Sequence, residues 1–264
     1  MNTRPAPVLV RLALAGALGA LGACEQPPPP AKPAPAKPAA QAASAPRQVS
    51  SRPLTPAWPP GQPGQAAISR DLFARNYYVV LDASGSMDGR ACSGDLTKIA
   101  AARNALAAFA DSLPADANLG LQVFDRSGVR EWLPLGTGNR DKFRAALGRA
   151  SASGGTPLRD AVALAYDRLQ AQGARQLGYG EYHLVVVTDG EANPGQDPTA
   201  AVNQLLAQSP VVLHTIGFCI GTEHSLNQPG RTLYRAADNP EQLRAGLGAV
   251  LAEAPSFAVL EFRK

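Results

Sequence analysis

The segment that decides the fold reads Tyr77-Tyr78-Val79-Val80-Leu81 and continues as Asp82-Ala83-Ser84-Gly85-Ser86. A second apolar run reads His183-Leu184-Val185-Val186-Val187 and continues as Thr188-Asp189-Gly190. Both runs are β-type, and the second lacks polar alternation, which is typical of a strand that helices cover on both faces. Each is therefore predicted to be an interior strand with a polar loop at its carboxyl end.

Around these runs, helical and β-type patterns alternate along the chain. The spacing of apolar residues predicts helices near 97–113, 141–150, 158–170, 198–208 and 242–251. It predicts a hairpin of 119–124 with 129–135 and strands at 211–218 and 233–235, while 257–262 either adds an edge strand or covers the core. This order predicts an α/β fold with a doubly wound, mostly parallel central sheet and helices on both faces. Ligands of such sheets bind outside the carboxyl ends of the strands.

Three loops together carry a candidate metal site. In chain order, the first loop contains Asp82–Ser86, the second loop reads Gly154-Gly155-Thr156-Pro157-Leu158 and opens a helix, and the third loop begins with Thr188-Asp189-Gly190. The set offers three hydroxyls and two carboxylates, which are hard oxygen donors of the kind that a magnesium-like ion prefers. Alternate residues of an extended first loop would point to one side, and the glycines permit close backbone approach. The candidate ligands are Asp82, Ser84, Ser86, Thr156 and Asp189.

Each segment alone has a simpler interpretation. Thr156 could be an N-cap with Pro157 in the first helical position, and Thr188-Asp189-Gly190 could be a turn that closes a strand. In this order, however, the three segments resemble the von Willebrand factor type A domain and its metal-ion-dependent adhesion site. The resemblance covers about residues 76–251 and fills all five ligand positions.

The resemblance implies a function as well as a fold. In this family the two serines bind the metal directly, the threonine binds it directly or through water, and the aspartates often act through water. The ion would be Mg²⁺ or Mn²⁺, and an acidic side chain of a protein partner would complete its coordination. Two rival interpretations remain: a metal-assisted hydrolase, and a scaffold in which the metal is only structural.

The histidines give little support to an enzyme. His214 lies within an apolar strand and is expected to be a core residue, His183 begins a strand, and His224 lies in a polar loop. None has a spacing that suggests zinc or a pair of base and nucleophile. We therefore predict a binding protein with no catalytic residue.

Residues 1–23 have the features of an export signal. Arg4 and Arg11 precede a short apolar run that ends in small residues, and the segment Leu21-Gly22-Ala23-Cys24 resembles a bacterial lipoprotein signal. The resemblance implies that Cys24 is lipidated and anchors the chain to the membrane of a bacterial cell envelope. Glu25, rather than Asp, favours the outer membrane, facing the periplasm or the cell surface. Ordinary secretion with nearby cleavage is the alternative.

Residues 24–66 are predicted to be a disordered linker before the domain at 67–264. Thirteen of the 24 prolines lie between Pro27 and Pro63, and the segment has too little apolar bulk for a core. Trp58, its one large apolar residue, either packs on the domain or stays solvated. The net charge of +4 arises from these terminal segments, because residues 67–264 hold 19 basic and 20 acidic residues. This near-neutral charge excludes nucleic acid as an expected partner.

Two cysteines remain once Cys24 is assigned to lipid. Cys92 follows the first polar loop, and Cys219 follows a strand that ends at the same edge of the sheet. Export to an oxidising compartment favours a disulfide between them, which would brace the rim of the site. Two separate thiols are the alternative.

Overall fold

The computed structural model describes residues 58–59 and 67–252. Within them the elements are β1 (Arg75–Asp82), α1 (Lys98–Ser112), β2 (Asn118–Asp125), β3 (Gly128–Gly136), α2 (Arg140–Arg149), α3 (Leu158–Arg175), β4 (Glu181–Thr188), α4 (Thr199–Gln208), β5 (Val212–Phe218), β6 (Leu233–Ala237) and α5 (Pro240–Ala252). The predicted signal, the lipidation site at Cys24 and the segment 257–262 lie outside the described residues. Among the helices of the described part, none combines the length and apolar composition that a membrane span needs.

The strands form one sheet in the order β3-β2-β1-β4-β5-β6. All neighbours are parallel except β2 and β3, which form the predicted antiparallel hairpin at one edge. β1 lies between β2 and β4, and Leu81 pairs with Val123 on one side and Val187 on the other. The order reverses direction at β1, so the winding switches there. The structure confirms the doubly wound, mostly parallel sheet.

Helices cover both faces of this sheet. Tyr77, Val79 and Leu81 of β1 belong to a core cluster that includes buried residues of α1, α2 and α5. Tyr78 and Val80 belong to a second cluster with residues of α3 and α4. Because both faces are buried, the central strands need apolar residues at every position, which explains the unbroken runs.

Trp58 packs on the second cluster. Its ring lies 6.3 Å from the ring of Tyr166 and 5.3 Å from that of Tyr182, measured between centroids. A Cβ on Gly173 would lie 2.7 Å from the indole, so the absence of a side chain there makes room for the ring. The structure therefore decides between the two predictions for Trp58 in favour of packing. Helix α3 continues to Arg175, beyond the predicted end near 170, and so supplies this contact.

Candidate functional site

The two predicted aspartates lie side by side at one edge of the sheet. Asp82 is the last residue of β1, and Asp189 directly follows the last residue of β4. Because β1 and β4 are paired and parallel, their carboxyl ends meet at the switch point of the winding. The topology thus places both carboxylates where doubly wound sheets bind ligands.

Asp82 is held between the two strands by hydrogen bonds to both of its oxygens. The backbone N–H of Ser84 donates to Oδ1 at 2.7 Å, and Oγ1 of Thr188 donates to Oδ2 at 2.6 Å. The side chain is fully buried. Burial raises the pKa of Asp82 to about 6, although the hydrogen bonds from Ser84 and Thr188 act in the opposite direction. A carboxylate in this position is costly to keep charged unless a cation lies nearby.

The serine hydroxyls connect the first loop with the third. Ser84 Oγ lies 3.0 Å from Ser86 Oγ, and Ser86 Oγ donates to Asp189 Oδ1 at 2.7 Å. The expected extended loop is wrong in detail, because Ser84 is extended but Gly85–Asp88 forms a 3-10 turn. The turn brings the two hydroxyls together by folding the chain back, rather than by alternation along a strand.

Glycines allow the second loop to approach the first. The N–H of Gly85 donates to the carbonyl of Gly154 at 2.9 Å. Gly154 has φ +83°, and a Cβ there would lie 2.5 Å from the backbone of Arg126, so both its conformation and its surroundings require glycine. A Cβ on Gly155 would lie 2.2 Å from the Asn193 side chain.

Thr156 is buried beside the third loop, and its carbonyl accepts a hydrogen bond from the N–H of Asn193 at 3.0 Å. A Cβ built on Gly190 would be 3.8 Å from both Thr156 Oγ1 and Ser86 Oγ, so the second and third loops meet there. The residue at the N-cap of α3 is Pro157, so Thr156 lies one position before the cap. The structure thus brings together all five residues that were predicted from the sequence.

Sequence reasoning missed Lys98, the first residue of α1. Its Nζ lies 2.8 Å from Asp189 Oδ2, and the two side chains are 11% and 0% exposed. Asp189 therefore accepts a hydrogen bond from Ser86 on one carboxylate oxygen and another from Lys98 on the second oxygen. In the sequence this lysine looks like a solvated residue in the first turn of a helix, and no local signal distinguishes it.

His224 is a second residue whose position only the structure shows. The N–H of Leu226 donates to its Nδ1 at 3.0 Å, which leaves the proton on Nε2. Nε2 lies 3.1 Å from the carbonyl of Gly190 and donates to it. The polar loop that contains His224 is therefore tied to the third loop of the site.

The structure contains a disulfide between Cys92 and Cys219, whose Cα atoms are 5.9 Å apart. It joins the segment after the 3-10 turn to the segment after β5 and so crosses the rim of the site. Both cysteines have positive φ, 59° and 68°. The N–H of Cys219 also donates to the carbonyl of Ala237 at 2.8 Å.

The other two histidines lie in the core, away from these loops. His183 Nδ1 and His214 Nε2 are 3.1 Å apart across β4 and β5, and both residues are buried. Burial is the largest cause that lowers the pKa of each, to about 3 for His214. The expectation of a core role for His214 is confirmed. Among the described residues, no group of three or more His, Cys, Asp or Glu side chains is placed to hold a metal. A metal at the predicted site would therefore depend on the hydroxyls.

Comparison with known proteins identifies the family. The family model of the von Willebrand factor type A domain matches residues 77–191. The uncharacterized protein YwmD of Bacillus subtilis is 30% identical over 157 residues, which are 54% of this chain and 67% of YwmD. A von Willebrand factor type A structure from Catenulispora acidiphila aligns at 20% identity and TM-score 0.53, over 68% of this chain and 42% of that one.

The open conformation of SpaC, a pilus adhesin of Lactobacillus rhamnosus GG, aligns at 15% identity and TM-score 0.54. The alignment covers 71% of this chain and 31% of SpaC, so the present chain corresponds to less than half of each of these two structures. At these identities the likeness shows the fold alone. Together with the family match over residues 77–191, which include all three loops, it shows that the chain belongs to the von Willebrand factor type A domain family.

Proposed function

We propose that the domain binds one divalent ion, Mg²⁺ or Mn²⁺, and uses it to capture a protein partner that offers an acidic side chain. The proposed ligands are Asp82, Ser84, Ser86, Thr156 and Asp189. The observation that carries the proposal is the convergence of three loops on one edge of the sheet. The hydroxyls of Ser84 and Ser86 in the first loop lie 3.0 Å apart, and Ser86 donates a hydrogen bond to Asp189 of the third loop at 2.7 Å.

The chemistry of the donor set fits a hard cation. All five side chains offer oxygen, which suits Mg²⁺ or Mn²⁺ better than Zn²⁺. Asp82 is a fully buried carboxylate with a raised pKa, and a divalent ion beside it would remove the cost of its charge. Ser86 is exposed whereas Ser84 is buried, so the site is open on the side of Ser86.

The bound ion would supply electrostatic attraction for an acidic group of a partner. Asp82 and Asp189 would balance its charge, and the hydroxyls of Ser84, Ser86 and Thr156 would orient it. The glycines of the second loop let that loop pack closely against Arg126 and Asn193 beside the site. SpaC, which shares this fold, is a pilus adhesin, and its role supports a binding function for the fold, although that role belongs to SpaC.

We further propose that the domain is presented from a bacterial cell envelope. Lipid on Cys24 would anchor the chain, and the Pro-rich stretch of about 30 residues before the packed Trp58 would reach on the order of 100 Å if fully extended. Metabolic labelling with a palmitate analogue should mark the wild type and not Cys24→Ala, which should also leave the membrane fraction. A Cys24→Ala protein that still floats with membranes would contradict lipid anchoring.

Metal binding is tested on the full chain in detergent by Mn²⁺ electron paramagnetic resonance. Ser84→Ala/Ser86→Ala should lose the bound Mn²⁺ signal, because both direct hydroxyl ligands are removed. Ser112→Ala, which changes an exposed serine at the end of α1, is the matched control and should bind as the wild type does. Unchanged binding in the double variant would place the ion elsewhere.

Partner capture is tested by crosslinking in envelopes with Mg²⁺ or with chelator, followed by mass spectrometry. The bands captured with Mg²⁺ should disappear in chelator and in Asp82→Ala and Thr156→Ala. Arg168→Ala, on the outer side of α3, should leave capture intact. If capture persists in chelator and Arg168→Ala destroys it, the interface lies on a helical face and the metal has a structural role.

The hydrolase alternative receives less support from the geometry. His224, the histidine that contacts the third loop, uses Nε2 toward the Gly190 carbonyl and Nδ1 toward the Leu226 N–H. Neither nitrogen is then available to activate water. Turnover on a panel of phosphoesters and peptides that Asp82→Ala abolishes would establish the enzyme instead.

A further inference from the structure

Lys98 places a fixed positive charge in the proposed metal site. Its ammonium is 2.8 Å from Asp189 Oδ2, and Asp189 has no exposed side-chain surface. The lysine is also held at its backbone, because its N–H donates to the carbonyl of Gly89 at 2.8 Å. Gly89 follows the 3-10 turn that carries Ser86, so the start of α1 and the first loop are fastened together at this point.

The side chains near the proposed ion carry charges of both signs. Asp82 and Asp189 together carry two negative charges, and Lys98 returns one positive charge. The three side chains thus present a net charge of −1 to an incoming ion, rather than the −2 of the carboxylates alone. A positive charge within several ångströms of a divalent ion opposes its binding even where solvent screens the interaction.

The same charge has the opposite effect on a partner. With a divalent ion bound, the two carboxylates and Lys98 sum to +1, whereas without Lys98 the sum would be zero. The metal-bound site therefore keeps a net positive charge that attracts an acidic group, whereas two carboxylates without Lys98 would neutralise the ion completely.

We propose that Lys98 is a resident cation of the metal site. In the metal-free protein its charge balances that of Asp189, so that the loops stay assembled. With metal present it lowers the affinity for the divalent ion, and it leaves the metal-bound site with a positive charge that attracts an acidic partner. This inference rests on the proposed metal-binding function and extends it to a residue outside the ligand set. It makes Lys98 a positioning residue for Asp189 and a determinant of metal affinity.

The test compares Lys98→Met with the wild type, using the full chain in detergent and Mn²⁺ as the probe. Removing the positive charge should tighten Mn²⁺ binding by about tenfold, read from the free-ion resonance signal. In chelator the same variant should melt about 10 °C lower, because Asp189 is left buried without its partner. Saturating Mg²⁺ should recover most of this loss. Lys142→Met, which removes an exposed lysine of α2, should match the wild type in both measurements.

A double-mutant cycle shows whether the pair itself is responsible for the loss in chelator. Asp189→Asn should also destabilise the metal-free protein, because Lys98 is then the buried charge without a partner. Lys98→Met/Asp189→Asn should be more stable than the sum of the single losses predicts. Additive losses would mean that the two side chains do not stabilise the metal-free loops through each other.

If Lys98→Met binds Mn²⁺ as tightly as the wild type or more weakly, the proposal that the charge of Lys98 opposes metal binding is wrong. If Lys98→Met does not fold even with Mg²⁺, Lys98→Gln keeps a hydrogen-bond donor without the charge and should show the same tightening. The metal site itself is judged separately. Loss of Mn²⁺ in Ser84→Ala/Ser86→Ala together with unchanged affinity in both Lys98 variants would reject only the role of Lys98. Unchanged binding in the serine variant would reject the metal site.

Discussion

The disulfide between Cys92 and Cys219 should contribute a large part of the stability of this domain. The cysteines are 127 residues apart in sequence, so the bridge closes a long loop in the unfolded chain. The loop-closure relation for that length corresponds to about 5 kcal/mol at 25 °C, and measured values for natural bridges are about 2–5 kcal/mol. A domain of this size loses roughly 2–4 °C of melting temperature for each kcal/mol. We therefore expect reduction to lower the free energy of unfolding by about 2–5 kcal/mol, which corresponds to a melting temperature that is lower by roughly 10 °C.

The assay is urea unfolding of the full chain in detergent, with and without a phosphine reductant, followed by circular dichroism. Reduction is preferable to substitution because it removes the cross-link and leaves the amino-acid sequence unchanged. A Cys92→Ser/Cys219→Ser protein is the control, and the reductant should not change its unfolding curve.

A decrease of less than about 1 kcal/mol in the free energy of unfolding would contradict this prediction, provided that thiol titration shows complete reduction. Such a result would mean that the unfolded chain is not restricted by the bridge or that the native fold strains it.

The effect of the bridge on the proposed metal site can be measured separately. Because the bridge crosses the rim next to the first loop, reduction at a temperature where the domain stays folded should weaken Mn²⁺ binding severalfold if the bridge orders that loop.

Three further predictions concern packing, backbone conformation and acid stability. Trp58→Ala should lower the free energy of unfolding by about 1–3 kcal/mol through lost aromatic packing, measured by urea unfolding, whereas Phe73→Ala, at 73% exposed, should change it by less than about 0.5 kcal/mol. Gly154→Ala should lower the free energy of unfolding by more than about 2 kcal/mol and weaken Mn²⁺ binding, because its Cβ would meet a close backbone contact in addition to the strain of a positive φ. Gly195→Ala, which has positive φ and open space, should lose only about 1 kcal/mol; equal losses would contradict the contact. The pKa of His214 falls from 6.5 to about 3 on folding, so the unfolded chain binds the extra proton between these values. The free energy of unfolding should therefore be highest above pH 6.5 and decrease as the pH falls toward 3. His214→Gln should make the melting temperature depend less on pH in this range.

Much of the architecture follows from local patterns in the sequence. Uninterrupted apolar runs indicate strands that are buried on both faces, and helical spacing between them indicates crossovers, which together specify a parallel sheet. The sequence allows either Asp95 or Thr97 as the cap of the first helix, and in the structure Thr97 is the N-cap of α1 and accepts a hydrogen bond from the N–H of Ala100. Asp82 and Asp189 were placed at the correct edge because the carboxyl ends of parallel strands share one side.

The conformation inside the loops was less accessible to sequence reasoning. The convergence of Ser84 and Ser86 was expected from an extended chain, yet Gly85–Asp88 forms a 3-10 turn. Short polar residues and glycine are compatible with both conformations, and hydrogen bonds to the neighbouring loops select between them. Those bonds include the one from the Gly85 N–H to the Gly154 carbonyl, which joins positions far apart in the chain.

Residues whose role depends on distant partners could be identified only in the tertiary structure. Lys98 meets Asp189 across 91 positions, and the Thr188 hydroxyl meets Asp82 across 106. A lysine in the first turn of a helix is normally solvated, and its spacing carries no sign of an ion pair with a strand-end carboxylate. The sequence by itself determined which oxygen ligands the loops offer, because strand ends and loop composition are local properties. The charge that surrounds those ligands depends on how α1 packs against the sheet, and only the folded chain decides it.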